Sequence, residues 1–244
     1  MNEEGTKRGC LMTEPVPTLW PVVIGTLKRI FQGFRYMTVW IFFTLLMVLF
    51  PFVKGTIGSF VFTLLFSIIL ISSIMAVSGH KVVRYIGLVL LVLAVGSRWS
   101  YFLLGGAVFD ELSFLFATLL LALVSLLLFL TLFKTREVTS DIIWQAISVY
   151  LLLGLSWACL FSFMESLAPG SFQDSVNPEV AMNFPTLVYY SFVTLATLGY
   201  GDILPTTQIA RGLVILEVLM GVLYMAILIS RLVGTWKPGK GNES

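Results

Sequence analysis

Residues 184–202 read FPTLVYYSFVTLATLGYGD. The first part, Phe184–Ala196, is apolar apart from a few hydroxyls. As a helix it would be about 20 Å long, short of the ~20 residues needed to cross a hydrocarbon layer. Such a length suits a helix that enters a membrane and turns back, and irregular backbone is tolerated at that depth only against protein or a watery cavity. The next six residues, Thr197-Leu198-Gly199-Tyr200-Gly201-Asp202, alternate bulky residues with glycine. Gly199 and Gly201 can take positive φ at little steric cost. An ordinary strand alternates its groups from side to side. Alternating left- and right-handed residues instead turn every carbonyl one way and leave the side chains of Leu198 and Tyr200 pointing behind.

Working outward, the chain around this stretch reads as a membrane protein. Of its 244 residues 58% are hydrophobic and 11% charged, against about 25% charged in a soluble domain. Six apolar runs are long enough to span: Tyr36–Val53, Ile57–Ser78, Val82–Leu104, Leu112–Phe133, Ile142–Met164 and Ile209–Gly234. Arg98 falls inside the third, near enough to its end to snorkel to the headgroups. With an even number of spans both termini share a side. Placing them in the cytosol puts twelve basic residues inside and only Lys54, Arg98 and Arg211 outside, as the positive-inside bias requires. The outer segments carry Asp110, Glu111, Glu165, Asp174, Glu179 and Asp202, an acidic mouth that would concentrate cations. Residues 1–35 are expected to be a cytosolic segment, with Leu19–Arg35 either an interfacial amphipathic helix or a cytosolic extension of the first span, and residues 236–244 a short cytosolic tail. Pro15, Pro17 and Pro21 argue against a cleaved leader. The protein is therefore expected in the plasma or inner membrane of the cell, multi-pass, surrounded by lipid.

A row of carbonyls can replace the water of a dehydrated potassium ion if several chains contribute to a ring. On the residues already quoted, the run Thr194 to Asp202 resembles the T-x-x-T-x-G-Y-G-D signature of the tetrameric potassium channels, with Leu198 where valine is common. The order of elements resembles that family too: outer helix Ile142–Met164, pore helix Phe184–Ala196, filter Thr197–Gly201 and inner helix Ile209–Gly234. The resemblance covers roughly residues 142–235, a pore module preceded by four further helices over 36–133. It implies an all-α integral membrane fold with six transmembrane helices and a re-entrant pore helix between the fifth and sixth. It implies passive potassium conduction by a homotetramer, with K+ bound at Thr197, Leu198, Gly199 and Tyr200 and the filter closed by Gly201. Tyr189, Tyr190, Thr194 and Asp202 would support the filter, Tyr190 and Thr194 by bracing Tyr200 of a neighbouring subunit. Val193 stands where some bacterial relatives carry glutamate, so a carboxylate pair with Asp202 is excluded.

Glu217 lies within the sixth run, where a carboxyl is costly and a functional candidate by default. It could bond to the back of the pore helix, face the cavity, or be a protonated acid satisfied by nearby backbone. Gly221 is either a gating hinge or a close helix contact. Arg231 could line the inner mouth or snorkel. The fourth run, Leu112–Phe133, contains no charged residue, so weak intrinsic voltage dependence is expected. One histidine, His80, and two cysteines, Cys10 and Cys159, offer neither a multi-histidine metal site nor a disulfide framework. The expected ligands are K+ ions and no organic cofactor. Lipids and further copies of the chain are the expected partners, without nucleic acid, and a regulatory partner is left open. No catalytic constellation is visible, so an enzyme is not expected. The competing readings are a non-conducting or regulatory channel-like subunit and a less selective cation channel.

Overall fold

The computed structural model describes residues 37–48, 55–77, 81–133, 140–179 and 181–235. The expectations for residues 1–35, for the tail and for Cys10 and His80 lie outside them, as do both ends of the expected first span. The described chain runs α1 (Met37–Val48), α2 (Gly55–Ala76), α3 (Lys81–Leu104), α4 (Ala107–Leu132), α5 (Ser140–Leu167), β1 (Phe172–Asp174), α6 (Phe184–Leu195), β2 (Ile203–Pro205) and α7 (Gln208–Thr235). Four helices are long and apolar enough to cross a membrane: α3, α4, α5 and residues Gln208–Arg231 of α7. Met37–Val48, Phe60–Ala76 of α2 and Phe184–Leu195 are shorter apolar helices. Six expected spans thus become four candidates among the described residues.

The described residues are mostly helical, as expected, with one short ribbon beside the helices. β1 and β2 pair antiparallel, with Phe172 opposite Pro205, Gln173 opposite Leu204 and Asp174 opposite Ile203. Alternation over three residues is too short a pattern to read against the polar composition of this loop.

Helix α5 is the hub. Two-thirds of its central stretch is buried, against about a tenth for α3. It lies against α4, α6 and α7. With lipid as solvent, apolar side chains gain little by leaving it, so packing and interhelical hydrogen bonds must hold the bundle. The bonds are present. Gln145 of α5 donates to the Leu128 carbonyl of α4 at 2.8 Å, and Ser156 donates to the Thr118 carbonyl at 3.3 Å. Tyr224 of α7 donates to the Ala146 carbonyl of α5 at 2.5 Å.

The N-terminal helices grip the start of α6. The Phe184 ring sits among Phe62 and Phe66 of α2 and Phe114 of α4, at centroid distances of 5.5, 5.2 and 5.1 Å. At the other end of α6, Phe43 of α1 meets Phe192 at 4.9 Å, and Phe192 lies over Gly154, where any larger residue would strike the ring. Phe184→Ala is expected to lower the thermal midpoint of the purified protein in detergent. The cost should fall below the ~3–5 kcal/mol seen in water-soluble cores, because the lost ring is exchanged for lipid rather than water. A midpoint unchanged within error would show that this grip holds nothing.

Arg98 departs from its expected placement. It turns inward and pairs with Asp110 at 2.9 Å, with 12% of its side chain exposed, rather than snorkelling to the headgroups. Two turns of the same antiparallel hairpin bring cation and carboxylate face to face, and burial is tolerable only in that pairing. Arg231 likewise has a protein surface, stacking over the Phe133 ring at 5.0 Å.

Candidate functional site

The site is built on the ends of α6. At its start Asn183 accepts from Thr186 N–H at 2.9 Å and Pro185 occupies the first turn, a well-capped beginning. At its end the backbone folds into a Schellman motif. Leu198 N–H reaches the Val193 carbonyl at 2.9 Å and Thr197 N–H the Thr194 carbonyl at 2.9 Å. That motif places one residue in the left-handed region, and here it is Thr197, with φ of 59°. Glycine is the usual occupant, since a β-carbon costs about 1–2 kcal/mol there.

Positive φ then recurs at every second residue. Gly199 has φ of 55° and Gly201 of 76°. The sequence reading assigned the left-handed conformation to the two glycines and missed Thr197. The signal that could have found it is positional, because Thr197 is the second residue after the last helical one. Leu198 and Tyr200 lie between these residues and are 57% and 67% exposed on a single chain.

The C-terminal end of the segment is strapped down. Tyr189 donates its hydroxyl to Asp202 Oδ2 at 2.7 Å, and Ile203 N–H donates to Oδ1 at 3.0 Å. Ser175, in the loop after β1, holds its hydroxyl 2.9 and 2.8 Å from the Gly201 and Asp202 carbonyls, which share its one hydrogen, and its N–H donates to the Asp202 carbonyl at 2.7 Å. The β1–β2 ribbon carries Ser175 to this point. Ser175 escaped the sequence reading because a serine in a polar loop has no distinguishing pattern. Of the acids expected at the mouth, Glu165 accepts from Gly170 and Phe172 N–H and Asp174 from Val176 and Asn177 N–H. These carboxylates brace the loop between α5 and α6.

Tyr190 is buried, its ring 5.7 Å from Phe161 and 5.4 Å from Phe172. Tyr189 and Tyr190, adjacent in sequence and about 100° apart around the helix, therefore serve different faces. Thr194 is buried beside them, and a groove bounded by Tyr190, Thr194, Tyr200 and Val214 runs behind the segment, with a volume of about 350 Å³.

Glu217 of α7 is fully buried at the back of α6, where its Oε1 lies 2.5 Å from Ser191 Oγ. The same hydroxyl lies 2.8 Å from the Gly154 carbonyl of α5. A serine has one hydrogen to give and a carbonyl can only accept. Ser191 and the Gly154 carbonyl are both satisfied when Ser191 donates to Gly154 and a neutral Glu217 carboxyl donates to Ser191 through Oε1. The second oxygen, Oε2, has no hydrogen-bond partner among the described residues. Ser191, the middle member of this link, went unnoticed in the sequence. Gly221, one turn further along α7, faces the end of α6. A β-carbon there would overlap the Leu195 carbonyl oxygen and lie 3.2 Å from its carbon.

Comparison with known proteins bears on this part of the chain. Residues 146–236 match a family model described as ion channel. Two-pore potassium channel 4 of Arabidopsis thaliana is 35% identical over 85 residues, 35% of this chain and 26% of that protein. Protein LctB of Bacillus caldotenax is 28% identical over 105 residues, 42% of this chain and 78% of that protein. The match thus spans about a quarter of the plant relative's length. No solved structure matches. The matched ion-channel region takes in the helix–turn–helix geometry just described, and together with the apolar helices it supports an ion channel in a membrane.

Proposed function

We propose that the chain is one subunit of a homotetrameric, potassium-selective channel whose filter is Thr197–Gly201. One observation carries this reading. Left-handed φ at Thr197, Gly199 and Gly201, separated by Leu198 and Tyr200, is the alternation that turns successive carbonyls to one side. Strained non-glycine backbone at Thr197 argues for a role in that position. A threonine there offers a hydroxyl at the inner end of the row, which glycine would not.

The homotetramer is supported by the surfaces that a single chain leaves bare. Leu198 and Tyr200 are exposed, and along α7 so are Ile215, Leu216, Leu219 and Leu223. Three further copies around an axis would cover the filter and supply the other carbonyls of each ring. In this reading α6 is re-entrant, α1 and α2 belong to two further spans, and both termini are cytosolic. The C-terminal end of α6 points its carbonyl dipoles toward the inner end of the filter, where they favour a cation. Ions pass in single file, bound well enough to shed water and driven on by their neighbours. Phe43, Phe62, Phe66 and Phe114 of the N-terminal region hold the pore helix, and 142–235 form the pore module.

Flux measurements in proteoliposomes test the proposal. Potassium uptake is expected to exceed sodium uptake by at least an order of magnitude. Gly199→Ala is expected to abolish it, since alanine at positive φ costs about 1–2 kcal/mol per subunit and four copies share the ring. Equal passage of both ions would favour the less selective cation channel. Absence of flux from correctly assembled tetramers would favour the non-conducting subunit.

A further inference from the structure

A second site lies away from the filter. A cavity of about 500 Å³ opens where α2, α3, α4, α5 and the start of α6 converge, lined by Phe62, Arg98, Tyr101, Asp110, Glu165 and Phe184. Its charged floor is incompletely satisfied. Arg98 meets Asp110 through Nη1 and stacks over Tyr101 and Phe114 at 5.6 and 5.4 Å, yet its buried Nε–H has no acceptor among the described residues. An unmet donor on a buried cation is costly and marks a place for an acceptor.

The surroundings narrow what that acceptor belongs to. The cavity holds one cation, Arg98, and two carboxylates, Asp110 and Glu165. A simple anion would meet net negative charge, and an apolar ligand would leave the Nε–H unpaired. A zwitterion satisfies both, its acidic oxygen on Arg98 and its ammonium toward the carboxylates and the faces of Tyr101 and Phe62. The uncharged walls are largely apolar, with Phe62, Phe102, Met182 and Leu187, and Tyr101 among them is exposed. A ligand that fills such walls and reaches the charged floor is an amphipath.

We propose that this cavity binds a zwitterionic phospholipid through its phosphoethanolamine headgroup, phosphate on Arg98 Nε–H and ammonium beside Asp110 and Glu165. A primary ammonium donates hydrogen bonds to carboxylates, which a choline group cannot. Phe184 and Pro185 form part of the wall, so the bound headgroup touches the start of the helix that carries the filter at its other end. The leaflet it faces rests on the topology proposed above.

The test is binding to the full-length assembly in detergent after delipidation, read by native mass spectrometry and thermal shift. Phosphatidylethanolamine, phosphatidylcholine, phosphatidylglycerol and soluble O-phosphoethanolamine are compared. Phosphatidylethanolamine is expected to bind about tenfold or more tightly than the other two lipids. Arg98→Lys keeps the charge opposite Asp110 and removes the Nε–H, and is expected to erase that preference. Should Arg98→Lys fail to assemble, Ala181→Trp, on an exposed part of the lining, is expected to block the mouth with the same result. Equal affinity for the three lipids, preference for phosphatidylglycerol, or an equal effect of the soluble headgroup would overturn the assignment. The readout is binding, so an assembly that takes up the lipid yet passes no potassium would refute the conduction proposal and leave this one standing.

Discussion

Gly221→Ala is expected to reduce potassium flux about tenfold or more and to lower the temperature at which the assembly dissociates. Two effects oppose each other. Alanine is better than glycine inside a helix by about 1 kcal/mol. Overpacking a close contact costs about 1–3 kcal/mol when side chains can yield. Here the obstacle is the Leu195 main chain, with its carbonyl carbon 3.2 Å from the new methyl, so a whole helix end must move. Leu195 stands two residues before Thr197, and the displacement passes straight into the first left-handed residue of the segment. The steric term wins, and about 1.4 kcal/mol already corresponds to a factor of ten. Gly96→Ala is the control, since a β-carbon at that α3 position meets nothing within 4 Å. Parental flux from Gly221→Ala would mean that α6 and α7 do not touch where the structure places them.

At Glu217 the prediction turns on which substitution is tolerated. Glu217→Gln keeps the shape and, through its amide N–H, still donates to Ser191 while Ser191 donates to Gly154. It is expected to assemble and conduct like the parent. Glu217→Ala empties a fully buried position between α5, α6 and α7. By analogy with large-to-alanine changes in cores it should cost about 2–4 kcal/mol and lower both assembly temperature and flux. If glutamine proved as damaging as alanine, the carboxyl would have to act as an anion, and the neutral link described above would be wrong. Either outcome is read from thermal dissociation and flux on the same preparations.

These two residues show where sequence reading stops. Glu217 and Gly221 were both conspicuous in an apolar helix, and each had competing readings. Hydrogen-bond geometry joined Glu217 to Ser191, 26 positions away, and a close helix crossing joined Gly221 to Leu195, also 26 positions away. No local pattern reports such pairs, because helix crossings are set by how whole faces pack. Arg98 is the clearest instance. Its place in an apolar run suggested snorkelling, and only the α3–α4 hairpin revealed Asp110 as its partner. Hydropathy, likewise, marked six runs, of which four emerge as long apolar helices among the described residues.

What could be read directly was everything governed by neighbours along the chain. Composition demanded a membrane, the length of Phe184–Ala196 left that helix too short to span one, and alternating glycines foretold left-handed backbone at 199 and 201. These are consequences of local sterics and of solvent. The tertiary structure alone decided which faces meet: the strap from Ser175, the aromatic grip on Phe184, the link through Ser191 and the cavity at Arg98. Each brings together groups from distant segments, and in a chain held by packing rather than by expulsion from water, such contacts carry the stability.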